Sequence, residues 1–509
     1  MTDATLSEAN SPATADSIWT RQTGRAVLAL LLLIALADFC FFRHQPGISL
    51  ALFCLALSGC VLALHPHKLT DGRTAAMLLV TVLATLPLVE SANLLWWPMA
   101  MGAVSLLTLS AADLLPRYED WLGATTRFNT LAPVRLVADA WRLVVESVGQ
   151  RSVGGVVHLV LVWIVPLVCA AVFVLLFAAA NPVIEFALRT IRFDELLKLL
   201  DPERIVLWGF IAVISWPILV PKLLCWEPAA PMQGPMLPRR ESVLFGGAAI
   251  RNSLVVFNLL FAAETLTDIV YLWGGMRLPD GLSYADYAHH AAYPLVITAV
   301  LAGAFVLAAM RRDGPGRKSE LIRGLVYVWI AQNVWLVISA ILRLKLYVET
   351  YELTEWRIAA GIWMALVAVG LLLILTRIVL DKSNKWLVMS NFTALVLTLY
   401  GVSFVDFPAV ISWFNVTHSW EMQGTTEQAL DVDYLGNLGE GVIPAVDYLL
   451  AHETFAEMDG SKTLRLMREN LAADAARVPE WQAWTWRGAR LRDYLRDHPY
   501  APDGVDTRN

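Results

Sequence analysis

The chain has few charged residues and few cysteines, and both features limit the class of protein to which it can belong. Only 17% of its 509 residues are charged, whereas a soluble protein of this size has charges at roughly a quarter of its positions. It has five cysteines: Cys40, Cys54, Cys60, Cys169 and Cys225. Four lie within apolar runs and the fifth at the end of one, so neither a disulfide framework nor a CxxC metal site is expected.

Short motifs of nucleotide, hydrolase and metalloprotease chemistry are also missing. The sequence contains no Walker A loop, no GxGxxG before a helix, no GxSxG and no HExxH. The histidine pairs His289–His290 and His65/His67 have no cysteine or acidic ligand at metal-site spacing. We therefore expect no metal and no cofactor.

The charge distribution excludes two further possibilities. The formal net charge is −6 and no basic stripe is present, so a nucleic-acid partner is not expected. The first twenty residues are polar and lack the apolar core of a signal peptide. We expect the first apolar run to remain as a membrane anchor.

Long apolar runs dominate what is present. Apolar residues make up 57% of the chain, and runs of about twenty residues, each long enough to cross a hydrocarbon layer of about 30 Å, recur from Arg25 almost to Phe407. These runs lack the alternation of strands, and only helices or closed barrels satisfy their backbone in lipid. The predicted fold class is all-α, a polytopic transmembrane helical bundle whose partner is the lipid bilayer.

We predict about eleven spans, with ten or twelve left open. They are placed at 25–42, 48–65, 74–90, 93–111, 155–179, 204–224, 253–273, 291–310, 324–344, 358–380 and 386–407. Lys and Arg are more than twice as frequent in the connections that lie on the N-terminal side of the membrane. This bias predicts a cytoplasmic N-terminus, and an odd number of spans then places the C-terminus in the periplasm.

The chain divides by character into three predicted domains. They are an N-terminal four-span region with a cytoplasmic linker (1–153), a core transmembrane region (154–407) and a small amphipathic helical tail outside the membrane (408–509). In the tail, "PEWQAWTWRGARLRDYLR" has Trp481, Trp484, Leu491 and Leu495 at spacings typical of one helix face. Such a helix suits either the membrane surface or packing against neighbouring tail helices.

Acidic residues inside apolar runs are costly and mark candidate functional sites. Glu264 and Asp268 are four residues apart, so they share one helix face, and Tyr271 follows about a turn later. Two adjacent carboxylates in a low dielectric cannot both ionise cheaply, which is the physical basis of proton or cation coupling. The structural alternative has them bonded to Asn258, to a nearby Ser or Thr, or to an inward-facing Arg.

Other polar residues complete the set of candidates. Asp38 lies near the outer end of the first span, and Glu90 lies at the end of the third. Two short outer loops, "GGMRLPDGLSYADYAHHAAYP" and "RLKLYVETYELTEWR", indicate either a substrate-facing rim or ordinary interfacial anchoring by Tyr and Trp. The rim candidates are Asp286, Glu349, Glu352, Glu355 and Arg357.

These loops carry a family resemblance. "YLWGG" with "GLSYADYA" resembles a YLFGG…tYAeYAR core, "LRLKLYVETYELTEWR" resembles RLxLYxxAYGLTxxR, "AANPVIEF" resembles an ANP break, and "YLGNLGEGVIPAV" resembles YLaxLGxDAVPAL. Together they resemble an uncharacterised family of bacterial membrane proteins, domain-of-unknown-function family 4173, related to family 4153. The resemblance covers about 179–446, with Glu352 where glycine is common. It implies the bacterial inner membrane and no particular activity.

Three function classes remain open. One is a permease or ion-coupled carrier with Glu264 and Asp268 in its pathway, although no inverted repeat, which many carriers have, is visible. The second is a structural or regulatory membrane protein whose periplasmic tail binds an unidentified protein partner. The third is a membrane enzyme acting on a lipid-linked substrate, for which no nucleophile–base set is visible in the sequence.

Overall fold

All the secondary structure described in the computed structural model is helical, as the sequence predicts. The structure describes residues 12–130, 134–141, 201–221, 247–273, 319–419, 429–452 and 461–499, together with the single residues 166, 170 and 422. The α-helices in these ranges are α1 (Pro12–Phe41), α2 (Ile48–Leu64), α3 (Gly72–Glu90), α4 (Trp97–Ala111), α5 (Trp121–Thr130), α6 (Pro202–Leu219), α7 (Gly247–Asp268), α8 (Glu320–Tyr351), α9 (Glu355–Val379), α10 (Asn384–Val402), α11 (Phe407–His418), α12 (Val432–Asn437), α13 (Ile443–Leu450), α14 (Ser461–Ala475) and α15 (Trp486–Asp497).

Eight of the described helices are long and apolar enough to cross a membrane. They are α1 from Thr23, α3, α4 with the short turn before it, and α6 to α10. A ninth helix, α2, is apolar but has only 17 residues. The predicted spans 155–179 and 291–310 lie outside the described residues, so the count of eleven stays a prediction.

The helices begin and end at residues suited to those positions. Ser319 and Ser383 cap α8 and α10 by accepting hydrogen bonds from the backbone N–H groups of residues 322 and 386. At the ends of α4 and α9, Asp113 and Asp381 have φ angles of 57° and 51°. In both turns the next backbone N–H bonds the carbonyl five residues earlier, at 2.8 and 3.0 Å, which is the Schellman arrangement.

Unit 1 of the chain comprises Met1–Cys225 together with Pro479–Arg487. We call residues 479–487 the returning segment. Its Trp484 carbonyl accepts a hydrogen bond from the Ile48 backbone N–H at 2.8 Å, and the Arg487 guanidinium lies 3.4 Å from the buried Glu90 carboxylate. The returning segment is therefore part of the packing of this unit.

The helix predicted to include Trp481 and Trp484 does not contain either residue. Trp481 lies in a single 3₁₀ turn, Trp481–Ala483, and Trp484 is extended. Helix α15 begins only at Trp486. The backbone of Trp484 bonds Ile48 instead of continuing a helix, so a contact distant in sequence overrides the local helical pattern.

Gly47 lies against the returning segment closely enough to predict a mutational effect. A Cβ at this position would lie 2.4 Å from the carbonyl carbon of Ala483. We expect Gly47→Ala to cost about 1–3 kcal/mol, because overpacking against backbone forces the segment to shift. Thermal unfolding in detergent measures this cost.

The matched control is Gly59→Ala in α2, where a Cβ has no neighbour within 4 Å. This change should be neutral or stabilising by up to about 1 kcal/mol, since alanine favours helix. Equal unfolding temperatures for the two variants would contradict the close packing at Gly47.

Unit 2 comprises Trp226–Val478 together with Gly488–Asn509. One hydrophobic cluster joins α7 and α8 around the fully buried Leu254 and Trp329. A second joins the helices after residue 407; it consists of Val416, Leu430, Leu435, Val442, Ala445, Val446, Leu449 and Leu464. The three predicted domains are a different division of the chain and stay a prediction.

Polar contacts support the second cluster. Arg468 donates to both carboxylate oxygens of Asp447, at 2.8 and 3.1 Å, and the Tyr494 hydroxyl donates to the same carboxylate. Burial, together with the Asp447 charge, raises the pKa of Tyr494 to about 12. The phenol therefore remains protonated, and able to donate, at physiological pH.

Candidate functional site

The predicted acidic pair on α7 meets an arginine from α8. Arg343 Nη2 donates to Asp268 Oδ1 and lies 3.5 Å from Glu264 Oε1. The Asp268 side chain is fully buried and that of Arg343 is 5% exposed, whereas 42% of the Glu264 side chain is exposed. We call these three residues the charged triad. The inward-facing arginine of the structural alternative is thus present.

Sequence reasoning missed Arg343 because it placed this residue in an outer loop. Helix α8 continues to Tyr351, seven residues beyond the predicted end of the span. It ends where Glu352 takes a φ of 67°, a conformation that glycine adopts most easily. Most of the predicted loop is therefore helix, and Arg343 lies inside that helix.

A distortion of α7 follows the triad directly. After Asp268 the backbone widens into a π-helical turn, Ile269–Trp273, and such turns occur frequently at functional sites. The indole of Trp273 stacks on Trp335 at 5.0 Å and lies 3.4 Å from Ser339 Oγ. Tyr271 lies in this turn, but its side chain is outside what the structure describes.

Further polar side chains lie along the contact between α7 and α8. Asn258 donates to the carbonyls of Leu254 and Leu325, and Gln332 donates to the Asn258 carbonyl at 3.1 Å. In the described part of the chain, four buried atoms along this contact have no hydrogen-bond partner. They are Asn258 Oδ1, Gln332 Oε1, Trp329 Nε1 and Trp335 Nε1.

We call these four residues the polar seam. A buried polar atom left unpaired costs about 1–3 kcal/mol, and proteins commonly satisfy such atoms with water. The arrangement is therefore suited to holding water or a polar ligand. The polar seam could hardly be predicted from the sequence, because two of its four residues are tryptophans, which are common in apolar runs.

The other intramembrane candidates form ion pairs within unit 1. Asp38 on α1 accepts two hydrogen bonds from Arg204 on α6, at 2.6 and 2.7 Å, and a third from Trp208. Glu90 pairs with Arg487 of the returning segment. Both carboxylates join elements that are distant in sequence. Their predicted role in coupling is not tested by these contacts.

Of the rim candidates, Glu349 belongs to a surface ion pair. Glu352, Glu355 and Arg357 lie where α8 ends and α9 begins, and we call this turn the corner. Glu349 is exposed and lies 3.6 Å from Lys345 one turn away. Arg357 donates to the carbonyls of Tyr351 and Glu352, and its guanidinium lies over the Tyr347 ring at 4.4 Å. These bonds close the turn between α8 and α9. Asp286 lies outside the described residues.

Residues from the helices after α10 cover this corner. The Asn415 side chain accepts from the Leu353 backbone N–H at 2.8 Å and donates to the Leu353 carbonyl at 3.0 Å. The Glu355 backbone N–H donates to the Tyr434 hydroxyl. The corner is thus held in place from outside, and its role as a rim or lid stays a prediction.

Among the described residues, no three His, Cys, Asp or Glu side chains lie close enough together to hold a metal ion.

Comparison with known proteins gives one family match. A family model described as Domain of unknown function (DUF4153) matches residues 26–449. No curated protein and no solved structure matches the chain. The match begins in the first predicted span, so it extends the resemblance found in the motifs. It is to family 4153, the relative of family 4173, and membership of family 4173 itself is not shown.

Proposed function

The chain belongs to the DUF4153 family, and from its charged triad we propose that the protein is a permease that conducts protons. In this proposal Glu264 is the group that exchanges the proton. The observation that carries it is one arginine facing two carboxylates inside a pair of apolar helices.

The charge balance of the triad favours Glu264 for this role. With both carboxylates ionised the triad has a net charge of −1, which is costly in a low dielectric. Asp268 is buried in direct contact with Arg343, so we assign it as the permanent ion-pair partner of this arginine. Glu264 is farther from the guanidinium and more exposed. A proton on Glu264 makes the triad neutral, and its release restores the charge.

The polar seam supports the same reading. A proton needs a path of polar groups or water through apolar helices. The seam supplies buried donors and acceptors without protein partners in the described part, on the same two helices that carry the triad. This combination favours a hydrated path over a purely structural ion pair.

The proposal includes an orientation and a location. The distribution of Lys and Arg supports an N-terminus in the cytoplasm and a C-terminus in the periplasm of a bacterial inner membrane. In that orientation the triad lies near the periplasmic end of α7 and α8.

The test is Glu264→Gln in proteoliposomes under an imposed membrane potential, with an internal pH-sensitive dye. We expect proton flux per folded molecule to fall at least tenfold, because glutamine cannot release a proton. The unfolding temperature should change little, since Glu264 is the more exposed carboxylate.

Glu320→Gln is the matched control, because Glu320 is an exposed α8 carboxylate that pairs with Arg323 and is not a candidate site residue. Its flux should equal that of the unmodified protein. Flux that persists in Glu264→Gln, or no flux in the unmodified protein, would contradict the proposal.

A structural or regulatory role is the second candidate. The observation in its favour is that the last part of the chain is built into the folded units, through the returning segment and the contacts of Asn415 and Tyr434. Under this reading the triad is an ion pair that orients α7 and α8. A protein partner for the tail remains a proposal.

A further inference from the structure

A cleft in unit 1 is formed where three helices end. Its walls are the C-terminal ends of α2, α4 and α6 and one side of α1 near Thr23 and Ala26. Its volume is about 360 Å³, within the range of small-molecule sites. In the proposed orientation these helix ends all lie on the cytoplasmic side.

His65 is a buried residue of the cleft wall that can supply a hydrogen-bond acceptor. The residue is 8% exposed, and its Nδ1 lies 3.0 Å from the Val61 carbonyl. Since a carbonyl can only accept, Nδ1 carries the hydrogen and Nε2 of the neutral ring is an acceptor. Nε2 has no hydrogen-bond partner among the described residues.

The helix ends and Asp113 contribute negative charge to the cleft. Each helix C-terminus carries roughly half a negative charge from its unpaired carbonyls, and three of them converge here. Asp113, the left-handed residue that ends α4, adds a full carboxylate to the wall. The Lys68 ammonium already binds this carboxylate at 2.6 Å, which shows the type of group that the site attracts.

We propose that this cleft binds a small organic cation with N–H donors, a primary amine. Its ammonium would donate to His65 Nε2 and to the Asp113 carboxylate, in competition with Lys68. An anion would be repelled by the helix ends, and a metal ion would lack a third side-chain ligand among the described residues. The inference does not depend on the proposed permease function.

The test is calorimetric titration of the full-length protein in detergent with 1,4-diaminobutane. Asp113→Asn should weaken binding at least tenfold, because it removes the carboxylate while asparagine tolerates the left-handed backbone. Asp381→Asn is the matched control, since Asp381 has the same backbone conformation at the end of α9. It should leave the affinity unchanged.

Two further variants separate binding from folding. Lys68→Met should strengthen diamine binding severalfold, because it removes the competing ammonium; a merely structural Lys68–Asp113 pair predicts no such gain. If Asp113→Asn is not folded, His65→Gln provides the second loss-of-binding variant.

Several results would overturn the proposal. They are the absence of saturable binding to the unmodified protein, equal affinity in Asp113→Asn, and equally tight binding of the uncharged analogue 1,4-butanediol. Saturable binding of Zn²⁺ that excludes the diamine and is lost in His65→Gln would reassign the cleft to a metal.

Discussion

Replacing Arg343 by methionine is expected to lower the stability of the protein by about 3–5 kcal/mol, the usual cost of removing one partner from a buried ion pair. The Asp268 carboxylate is fully buried, so losing the guanidinium removes its opposite charge in a site shielded from water. The measurement is the unfolding temperature in detergent, together with the yield of monodisperse protein.

The double variant Arg343→Met/Asp268→Leu provides the sharper comparison. Replacing a whole buried pair by apolar residues is often neutral or stabilising, so this variant should recover most of the lost stability. The non-additivity of the two changes measures their coupling. Under the permease proposal the recovered protein should still lack proton flux, because Glu264 has lost the guanidinium that favours its charged form.

Arg323→Met is the control for a charge change on the same helix. Arg323 is exposed and pairs with Glu320 at 3.8 Å, so its loss should cost less than about 1 kcal/mol. Equal effects at Arg323 and Arg343 would show that the Asp268 contact contributes nothing specific to stability.

Truncation after Val478 is expected to destabilise the protein by at least about 3 kcal/mol, chiefly because it leaves the Glu90 carboxylate buried without Arg487. Glu90 is 7% exposed. The deletion also removes the Trp484 carbonyl bonded to Ile48 and the Tyr494 hydroxyl bonded to Asp447. Unfolding temperature and resistance to limited proteolysis report the change.

Single variants separate the contributions to the loss of stability expected on truncation. Arg487→Met should reproduce a large part of the loss, whereas Arg496→Met, which removes an exposed pair with Asp493, should have little effect. A truncated protein that remains monodisperse with an unchanged unfolding temperature would show instead that residues 479–509 contribute little to the stability of the rest of the chain.

The positions of the membrane-spanning helices could be predicted well from the sequence. Nine of the predicted spans fall on apolar helices in the described part, and their ends differ from the predicted ones by about seven residues at most. The reason is that a lipid-exposed segment must satisfy its backbone internally, so an apolar run of sufficient length has only the helix available. The end of α8 was wrong because it depends on the backbone at Glu352, not on hydropathy.

The charged candidates were found by the sequence, but their partners were not. The cost of a carboxylate in an apolar run is a local property. The sequence alone is therefore enough to recognise Asp38, Glu90, Glu264 and Asp268. The partner of each depends on which helices pack together. Arg204 is 166 residues from Asp38, and Arg487 is 397 residues from Glu90.

By itself the sequence determined the helical class, the location of most spans and the shared face of Glu264 and Asp268, because transfer into lipid and helical periodicity act within single segments. Only the tertiary structure decided that Arg343 faces this pair, that residues 479–487 pack into unit 1 and that three helix ends enclose one cleft. These features require two or more segments to meet, and the free energy of each contact depends on burial and geometry that no single segment encodes.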